Sequence, residues 1–229
     1  MDELNCPRSD AEPDLESTGD IVERIRAKAA ASTGREADVF DLEQERRDAT
    51  RVDDVLRGWG VPKRVRLTLD RPQTTKAIDI VQAWLDAGEN AWCLVLSADK
   101  GVGKSTAAGW WLRKTAAEAQ PSTNAFRRWW PAAEIAAMDF YGDDFKRLCD
   151  CHSLVLDDLG AEYSDAKGAF QSKLDRVMDA RYREYRRTIV TTNLSVKGFV
   201  ERYDTRIYDR MREGGVWQGI SGASMRAAQ

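Results

Sequence analysis

The sequence is poor in the residues on which several common kinds of active site depend. Its 229 residues include one histidine, His152, and four cysteines at irregular positions. A single histidine excludes a site with several histidine ligands and leaves little basis for a serine–histidine triad or for most histidine acid–base schemes. Four scattered cysteines do not make a disulfide framework, which indicates a reducing, cytoplasmic environment.

Long apolar runs are also missing. The longest one, Ala91–Leu96, is far shorter than the roughly 20 residues that a membrane helix needs. Residues 1–20 contain seven carboxylates and a single arginine, so they do not have the basic and then apolar pattern of a signal peptide. These absences predict a soluble, cytoplasmic protein that has no membrane partner.

No single sign of charge dominates the chain. Lysines and arginines number 35 and aspartates and glutamates 38, which gives a formal net charge of -3. This balance argues against a uniformly basic protein that coats DNA. Any contact with nucleic acid must therefore come from local clusters of basic residues.

Composition divides the chain into three parts. Residues 1–20 have a net charge of -6 and contain proline and glycine, which predicts a disordered acidic leader. Residues 21–57 have sparse apolar residues at helical spacing, which predicts two thin amphipathic helices broken near Ser32–Gly34. This segment either packs on the main domain or binds a partner protein, and its apolar stripe does not distinguish the two. Residues 58–229 form the main domain.

Strands and helices alternate in the main domain. Short apolar runs predict buried strands at Ala91–Leu96, Ser153–Asp157 and Thr188–Thr192, with helical segments between them. Further strands are predicted at 126–129 and 216–220. This alternation predicts an α/β fold in which helices cover both faces of a parallel sheet.

The strongest chemical signal lies between the first strand and the next helix. Residues 97–105 match a phosphate-binding loop, except that Ala98 stands where the strict pattern has glycine. Gly101 and Gly103 lie where the backbone must turn its N–H groups toward phosphate. Lys104 would reach the β- and γ-phosphates, and Ser105 would bind Mg²⁺ through its hydroxyl. We therefore expect ATP and Mg²⁺ as cofactors, bound by Ala98, Asp99, Lys100, Gly101, Val102, Gly103, Lys104, Ser105 and Thr106.

Polar side chains also follow two later strands. A buried strand ends in Asp157 and Asp158, and Asp157 lies 53 positions after Lys104. Asp157 can hold Mg²⁺ together with Ser105, and Asp158 can orient and deprotonate an attacking water. Asn193 ends the next strand and can bind that water or the γ-phosphate. All of these residues fall at the carboxyl ends of parallel strands, where open α/β sheets bind their ligands. The pattern predicts Mg-dependent ATP hydrolysis.

Motifs in a specific order span about residues 58 to 226. They are Gly60-Val61-Pro62-Lys63-Arg64, Gly103-Lys104-Ser105, Leu156-Asp157-Asp158-Leu159-Gly160, Arg181-Tyr182, Thr191-Thr192-Asn193-Leu194 and Asp209-Arg210-Met211. Their order resembles that of the DnaC/DnaI-like helicase loaders and the IstB-type transposition helper ATPases. The resemblance implies a P-loop NTPase of the AAA+ (ASCE) type with strand order 5-1-4-3-2 and no C-terminal lid domain. It also implies that Asn193 lies between the phosphate-binding loop and Asp157.

The resemblance further implies an assembly that acts on DNA. Such relatives form nucleotide-bridged filaments or spirals on single-stranded DNA and help to place a replicative helicase there, or they assist a transposase. In a homo-oligomer of this kind an arginine reaches the ATP of the neighbouring subunit. Arg210 matches that arginine, and Arg206 is the second choice. Arg226 resembles a terminal arginine of the family that contacts nucleotide.

Two basic clusters are candidates for binding single-stranded DNA. Arg127 and Arg128 lie among aromatic residues, a mixture that can stack with bases and neutralise phosphates. Lys146 and Arg147 belong to a predicted helical segment. We assign Trp129 to the core, because aromatic residues in a strand usually pack inside.

Three functions remain open from the sequence. We favour a helicase loader that acts in DNA replication, and the alternatives are a transposition helper and an ATP-bridged DNA-binding adaptor with little hydrolysis. Asp158 bears on the last alternative, because many AAA+ proteins have glutamate there, and aspartate places the carboxylate one methylene further from the water. We therefore expect slow turnover that depends on assembly. Residues 1–57 do not identify the partner protein.

Overall fold

The computed structural model describes residues 36–71, 75–88, 91–118, 126–162 and 168–222, without the side chains of residues 36–42 and 118. The predicted acidic leader, the predicted break near Ser32–Gly34 and Arg226 lie outside these ranges. Within them, none of the helices has the length and apolar character needed to cross a membrane. The elements are α1 (Glu36–Gly58), α2 (Lys63–Leu69), α3 (Lys76–Asp86), β1 (Cys93–Ser97), α4 (Lys104–Glu118), β2 (Arg127–Pro131), α5 (Ala132–Ala137), α6 (Asp143–Asp150), β3 (Ser153–Leu159), α7 (Ala169–Arg183), β4 (Thr188–Thr192), α8 (Val196–Tyr203), α9 (Thr205–Arg212) and β5 (Gly215–Gly219).

The five strands form one parallel sheet in the order β2-β3-β4-β1-β5. This confirms the parallel sheet and the strand order implied by the sequence motifs. Strands β1 and β4 occupy the middle of the sheet, where their apolar residues are buried on both faces. Such burial explains why these strands read as short, continuous apolar runs in the sequence.

Helices cover both faces of the sheet and make two hydrophobic cores. Leu94 and Leu96 of β1 face the core formed with α2, α3 and α4, whereas Cys93 and Val95 face the core formed with α5 to α9. This division follows the period of two along a strand. Each fully buried leucine or valine contributes about 1.5 to 3 kcal/mol. The two cores therefore hold the sheet rigidly beneath its carboxyl edge.

The second half of α1 belongs to the core on the α4 side. Ala49 and Leu56 are buried there, and Asp53 forms an ion pair with Arg66 of α2 at 2.5 Å. Of the two roles left open for residues 21–57, packing on the main domain therefore applies to this part. Partner binding by the exposed face of α1 stays a prediction.

A glycine turn between α1 and α2 fixes where α2 begins. The Gly60 φ angle is +87°, and a Cβ atom there would lie 2.9 Å from the carbonyl oxygen of Trp129. The Trp129 N–H donates a 2.8 Å hydrogen bond to the Trp59 carbonyl, so the turn is attached to the free edge of β2. A side chain at position 60 would meet both an unfavourable backbone conformation and a backbone clash.

We predict that Gly60→Ala destabilises the protein by about 2 kcal/mol or more, because the turn cannot keep its contact with β2. Thermal unfolding should show a midpoint at least about 5 °C lower. Gly58→Ala is the matched control, because a Cβ atom at Gly58 has no neighbour within 4 Å and alanine favours a helix. An equal loss in both variants would show that the Trp129 contact does not fix the turn.

Candidate functional site

The loop between β1 and α4 has the backbone expected of a phosphate-binding loop. Gly101 and Gly103 have φ angles of +94° and +91°, a region that residues with side chains rarely adopt. Ala98 does not have a positive φ angle, and its N–H donates a 3.2 Å bond to the Thr192 carbonyl. Ala98 thus continues the pairing between β1 and β4, which explains why alanine is tolerated where the strict motif has glycine.

The Lys104 side chain closes this loop. Its ammonium donates to the carbonyl oxygens of Ala98 at 2.7 Å and Asp99 at 2.9 Å, and to Oδ1 of Asn193 at 2.9 Å. The residue is only 7% exposed, and a buried ammonium needs acceptors of this kind. Lys104 therefore links the loop to the carboxyl end of β4, where an incoming phosphate could replace one of the three acceptors.

Asp157 lies at the end of β3, opposite Ser105. The Ser105 hydroxyl donates to Oδ1 of Asp157 at 2.9 Å, and the Thr191 hydroxyl donates to the same oxygen at 2.6 Å. Burial raises the pKa of Asp157, and the negative charge of Asp158 adds to that rise, while the two hydroxyl bonds and the charge of Arg64 oppose it. The hydroxyl and carboxylate oxygens suit Mg²⁺, which binds through one or two carboxylates together with phosphate oxygens.

A local irregularity brings the next carboxylate to the same edge. The pairing of β3 with β4 shifts between Leu156 and Leu159, and Asp158 has a φ angle of +59°. In a regular strand, successive side chains point to opposite faces, whereas this bulge leaves both aspartates lining one cleft. The Asn193 amide donates to Oδ1 of Asp158 at 3.3 Å. Asn193 therefore contacts both Lys104 and Asp158.

Thr191 is a positioning residue that the sequence analysis missed. Its hydroxyl donates to Asp157 and accepts a 2.9 Å bond from the Asp158 N–H. The residue is 1% exposed, at the fourth position of a fully buried strand. The available signal was a hydroxyl residue inside an apolar strand, next to a strand that ends in two carboxylates.

These groups open onto a cleft of about 880 Å³. Its lining includes Lys104, Ser105, Thr106, Asp157, Asp158 and Asn193 from the predicted site, with Lys100, Gly101 and Gly103 from the loop. The opposite wall comes from α2 and the residues around it. That wall, to which the sequence analysis assigned no role, consists of Lys63, Arg64, Val65, Leu67, Thr68 and Arg71.

The two candidate arginines of α9 lie outside this cleft. Arg210 is paired with Asp175 and with Asp179 of α7, the latter at 3.1 Å, and it is 19% exposed. Arg206 pairs with Asp175 at 2.9 Å and is 67% exposed. Neither arginine lines the cleft of its own chain, so a role in catalysis requires that it reach a neighbouring subunit.

The four candidate DNA-binding residues have different surroundings. Arg127 lies 5.2 Å from the ring centre of Trp59, and Arg128 donates a 2.7 Å bond to the Gly58 carbonyl. These two arginines therefore also connect β2 to the end of α1. Lys146 and Arg147 are exposed on α6. Burial lowers the pKa of Arg128, and the charge of Arg147 acts in the same direction to a smaller extent. Trp129 is buried, as predicted.

Solved structures share this architecture at low sequence identity. No family model matches the chain, and no curated protein matches it in sequence. The DnaC helicase loader structure matches 66% of this chain and 93% of its own, with a TM-score of 0.52 and 19% identity. The DnaI structure matches 66% of this chain and 83% of its own, with a TM-score of 0.54 and 20% identity. The likeness shows the fold alone, a five-stranded parallel sheet flanked by helices that matches the AAA+ type of P-loop fold, and it confirms this part of the predicted fold class.

Proposed function

We propose that the protein binds ATP with Mg²⁺ in this cleft and hydrolyses it slowly, as an AAA+ ATPase that depends on assembly. The observation that carries the proposal is the set of bonds at the sheet edge, which joins Lys104 to Asn193 and Ser105 to Asp157. A cation, a metal-binding pair and a carboxylate for the water thus lie together beside a loop shaped for phosphate.

Five residues of the cleft have a part in the proposed reaction. Lys104 exchanges an acceptor for the β- and γ-phosphates, while Ser105 and Asp157 hold Mg²⁺. An Mg²⁺ ion held by these two residues would supply neutralisation of the charge that develops on the transferred phosphate. Asp158 accepts a proton from the attacking water, and the Asn193 amide keeps that carboxylate in place. Because aspartate is shorter than glutamate, it holds the water less closely, which supports slow turnover.

We expect three substitutions to separate these roles. Lys104→Ala should lower ATP affinity by about 10-fold or more, because it removes charged hydrogen bonds to phosphate. Asp157→Asn keeps an acceptor for Ser105 and Thr191 but should abolish the gain in affinity that Mg²⁺ provides. Asp158→Asn should leave binding within about threefold and lower turnover by about 100-fold or more. Calorimetry with and without Mg²⁺, combined with phosphate release, measures all three effects.

Asp79→Asn removes an exposed carboxylate of α3 outside the cleft and is the matched control, with unchanged binding and turnover. If Asp157→Asn and Asp158→Asn lost ATP affinity equally, the division of labour between the two carboxylates would be wrong. ATP affinity unaffected by Lys104→Ala would contradict nucleotide binding at this loop.

We further propose that the protein acts in DNA replication as a helicase loader on single-stranded DNA. The motif order and the likeness in fold to a helicase loader support this role, although the same motif order also fits a transposition helper. We place the DNA contact on Lys146 and Arg147 and the adjoining Arg127 and Arg128. We place the docking surface for the helicase on the exposed face of α1, because its other face packs on the core.

The partner proposal predicts that charge reversal on α1 abolishes capture of the replicative helicase. Arg46 and Arg47 are exposed, so Arg46→Glu combined with Arg47→Glu should leave folding and ATP affinity unchanged. A control pair, Lys76→Glu with Lys197→Glu, reverses exposed charges on α3 and α8 and should retain capture. Pull-down with purified helicase and, separately, with purified transposase measures both. If the wild-type protein captures only the transposase, the transposition helper is favoured. If the variant with both arginines replaced captures the helicase as well as the wild type does, this face of α1 is not the docking surface.

We propose that the active species is a homo-oligomer in which Arg210 reaches the ATP of a neighbouring subunit. To do so, Arg210 exchanges Asp175 and Asp179 for phosphate oxygens, which also carry negative charge. An arginine supplied in this way increases turnover by about a thousandfold or more. Hydrolysis would then depend on assembly, because each site is incomplete without its neighbour.

Mixing two inactive variants tests the role of Arg210. Arg210→Ala and Lys104→Ala should each be nearly inactive, while an equal mixture should recover activity at interfaces that join an intact loop to an intact arginine. Turnover per subunit should also rise with protein concentration and with single-stranded DNA. Arg212→Ala, an exposed arginine on the same helix, is the control and should remain active. If the mixture still assembles but is no more active than either variant alone, Arg210 does not reach the ATP of a neighbouring subunit. The same test would then be made with Arg206.

A further inference from the structure

The wall of the cleft opposite the phosphate-binding loop carries basic side chains that have no assigned role. Lys63 and Arg64 are exposed in the first turn of α2, and Arg71 follows the end of that helix. Among the described residues, no carboxylate forms an ion pair with Arg64. An exposed arginine that lines a cleft beside two aspartates and a phosphate-binding loop is available for an anionic ligand.

Packing fixes the position of Arg64 relative to the loop. Val65, the next residue, is buried against Gly109 of α4, where a Cβ atom would lie 2.4 Å from Cγ1 of Val65. Arg113 of α4 donates to the Leu69 carbonyl at the other end of α2. Because α4 begins at Lys104, α2 is attached to the same helix that continues the phosphate-binding loop. The backbone at Arg64 is therefore held at a set distance from the loop.

Arg64 shares its cleft with the residues that we propose to hold Mg²⁺. Arg64, Ser105 and Asp157 all line this cleft. Asp157 is a proposed ligand of Mg²⁺, which would neutralise charge on the terminal phosphates of a bound nucleotide. A nucleotide bound with its terminal phosphates at Ser105 and Asp157 would therefore lie in the cleft that Arg64 lines. Lys104 also lines the cleft, but its ammonium already donates three hydrogen bonds within the protein, which an incoming phosphate would have to replace.

We propose that Arg64 binds the terminal phosphate of ATP within the same subunit and thereby makes the site prefer ATP over ADP before any neighbour is present. The inference rests on the proposed function of the cleft. The guanidinium group can donate two parallel hydrogen bonds to two oxygens of one phosphate, a geometry that lysine cannot reproduce. Arg64 would thus act from within the subunit, whereas Arg210 would act from the neighbouring one.

The test compares affinities for ATP and ADP, each with Mg²⁺, at protein concentrations low enough to keep the chain monomeric. Arg64→Ala should weaken ATP binding by about 10- to 100-fold, the loss expected for charged hydrogen bonds, and ADP binding by less than about threefold. Arg64→Lys should recover only part of the ATP affinity. Lys63→Ala removes a neighbouring charge from the same wall, and it should weaken the binding of ATP and of ADP slightly and equally.

The outcomes separate this inference from the proposed function. If the wild-type protein binds neither nucleotide, the proposed function fails and the inference fails with it. If the wild type binds ATP but Arg64→Ala leaves affinity unchanged, or weakens ATP and ADP equally, only the contact with the terminal phosphate is excluded. Matching thermal unfolding of the variants without nucleotide confirms that any loss reflects binding, and Arg64→Lys provides a second test with the charge retained.

Discussion

The position of β4 between β1 and β3 is the constraint on which the site depends. Strand β1 leads into the phosphate-binding loop, and β3 ends in the two aspartates, so β4 separates these groups and supplies the residues between them. Thr191 bonds to Asp157 and to the backbone of Asp158, while Asn193 bonds to Lys104 and Asp158. A change in the register of β4 by one residue would turn these side chains to the opposite faces and separate the cation from the carboxylates.

The same edge depends on a second layer of packing that lies further from the chemistry. The turn at Gly60 attaches the start of α2 to β2, and Val65 attaches the helix to α4 at Gly109. Helix α1 adds to this support through the ion pair between Asp53 and Arg66. One wall of the cleft is therefore built by residues that precede the first strand, and it shares a hydrophobic core with the loop that it faces.

Local sequence patterns predicted the parts of the molecule that local rules determine. Gly101 and Gly103 mark positive φ angles, and apolar runs mark buried strands, so the loop and the order of strands and helices could be predicted. The role of Thr191 could not, because it depends on the register between two strands that are distant in the sequence. The sequence analysis included Arg64 in a motif but gave it no role for a similar reason, since only the contact between α2 and α4 brings this wall to the loop. The packing of α1 was left open because an amphipathic stripe does not specify what covers it.

The bonds of Lys104 and Arg210 bear on how ATP and assembly would be coupled. Both cations are held by acceptors within the chain, Lys104 by two carbonyls and an amide oxygen, and Arg210 by two carboxylates. A phosphate oxygen carries charge and is a stronger acceptor than an amide oxygen, so the exchange at Lys104 is favourable within a single subunit. At Arg210 the phosphate must displace carboxylates, which are charged as well. This exchange therefore lowers the free energy less than the exchange at Lys104, and it needs the additional contacts of an assembled interface. If Lys104 released Asn193 to bind phosphate, the hydrogen bond from the Asn193 amide to Asp158 would remain in place. Under the proposed function, ATP binding can therefore occur in one subunit, whereas hydrolysis requires two assembled subunits.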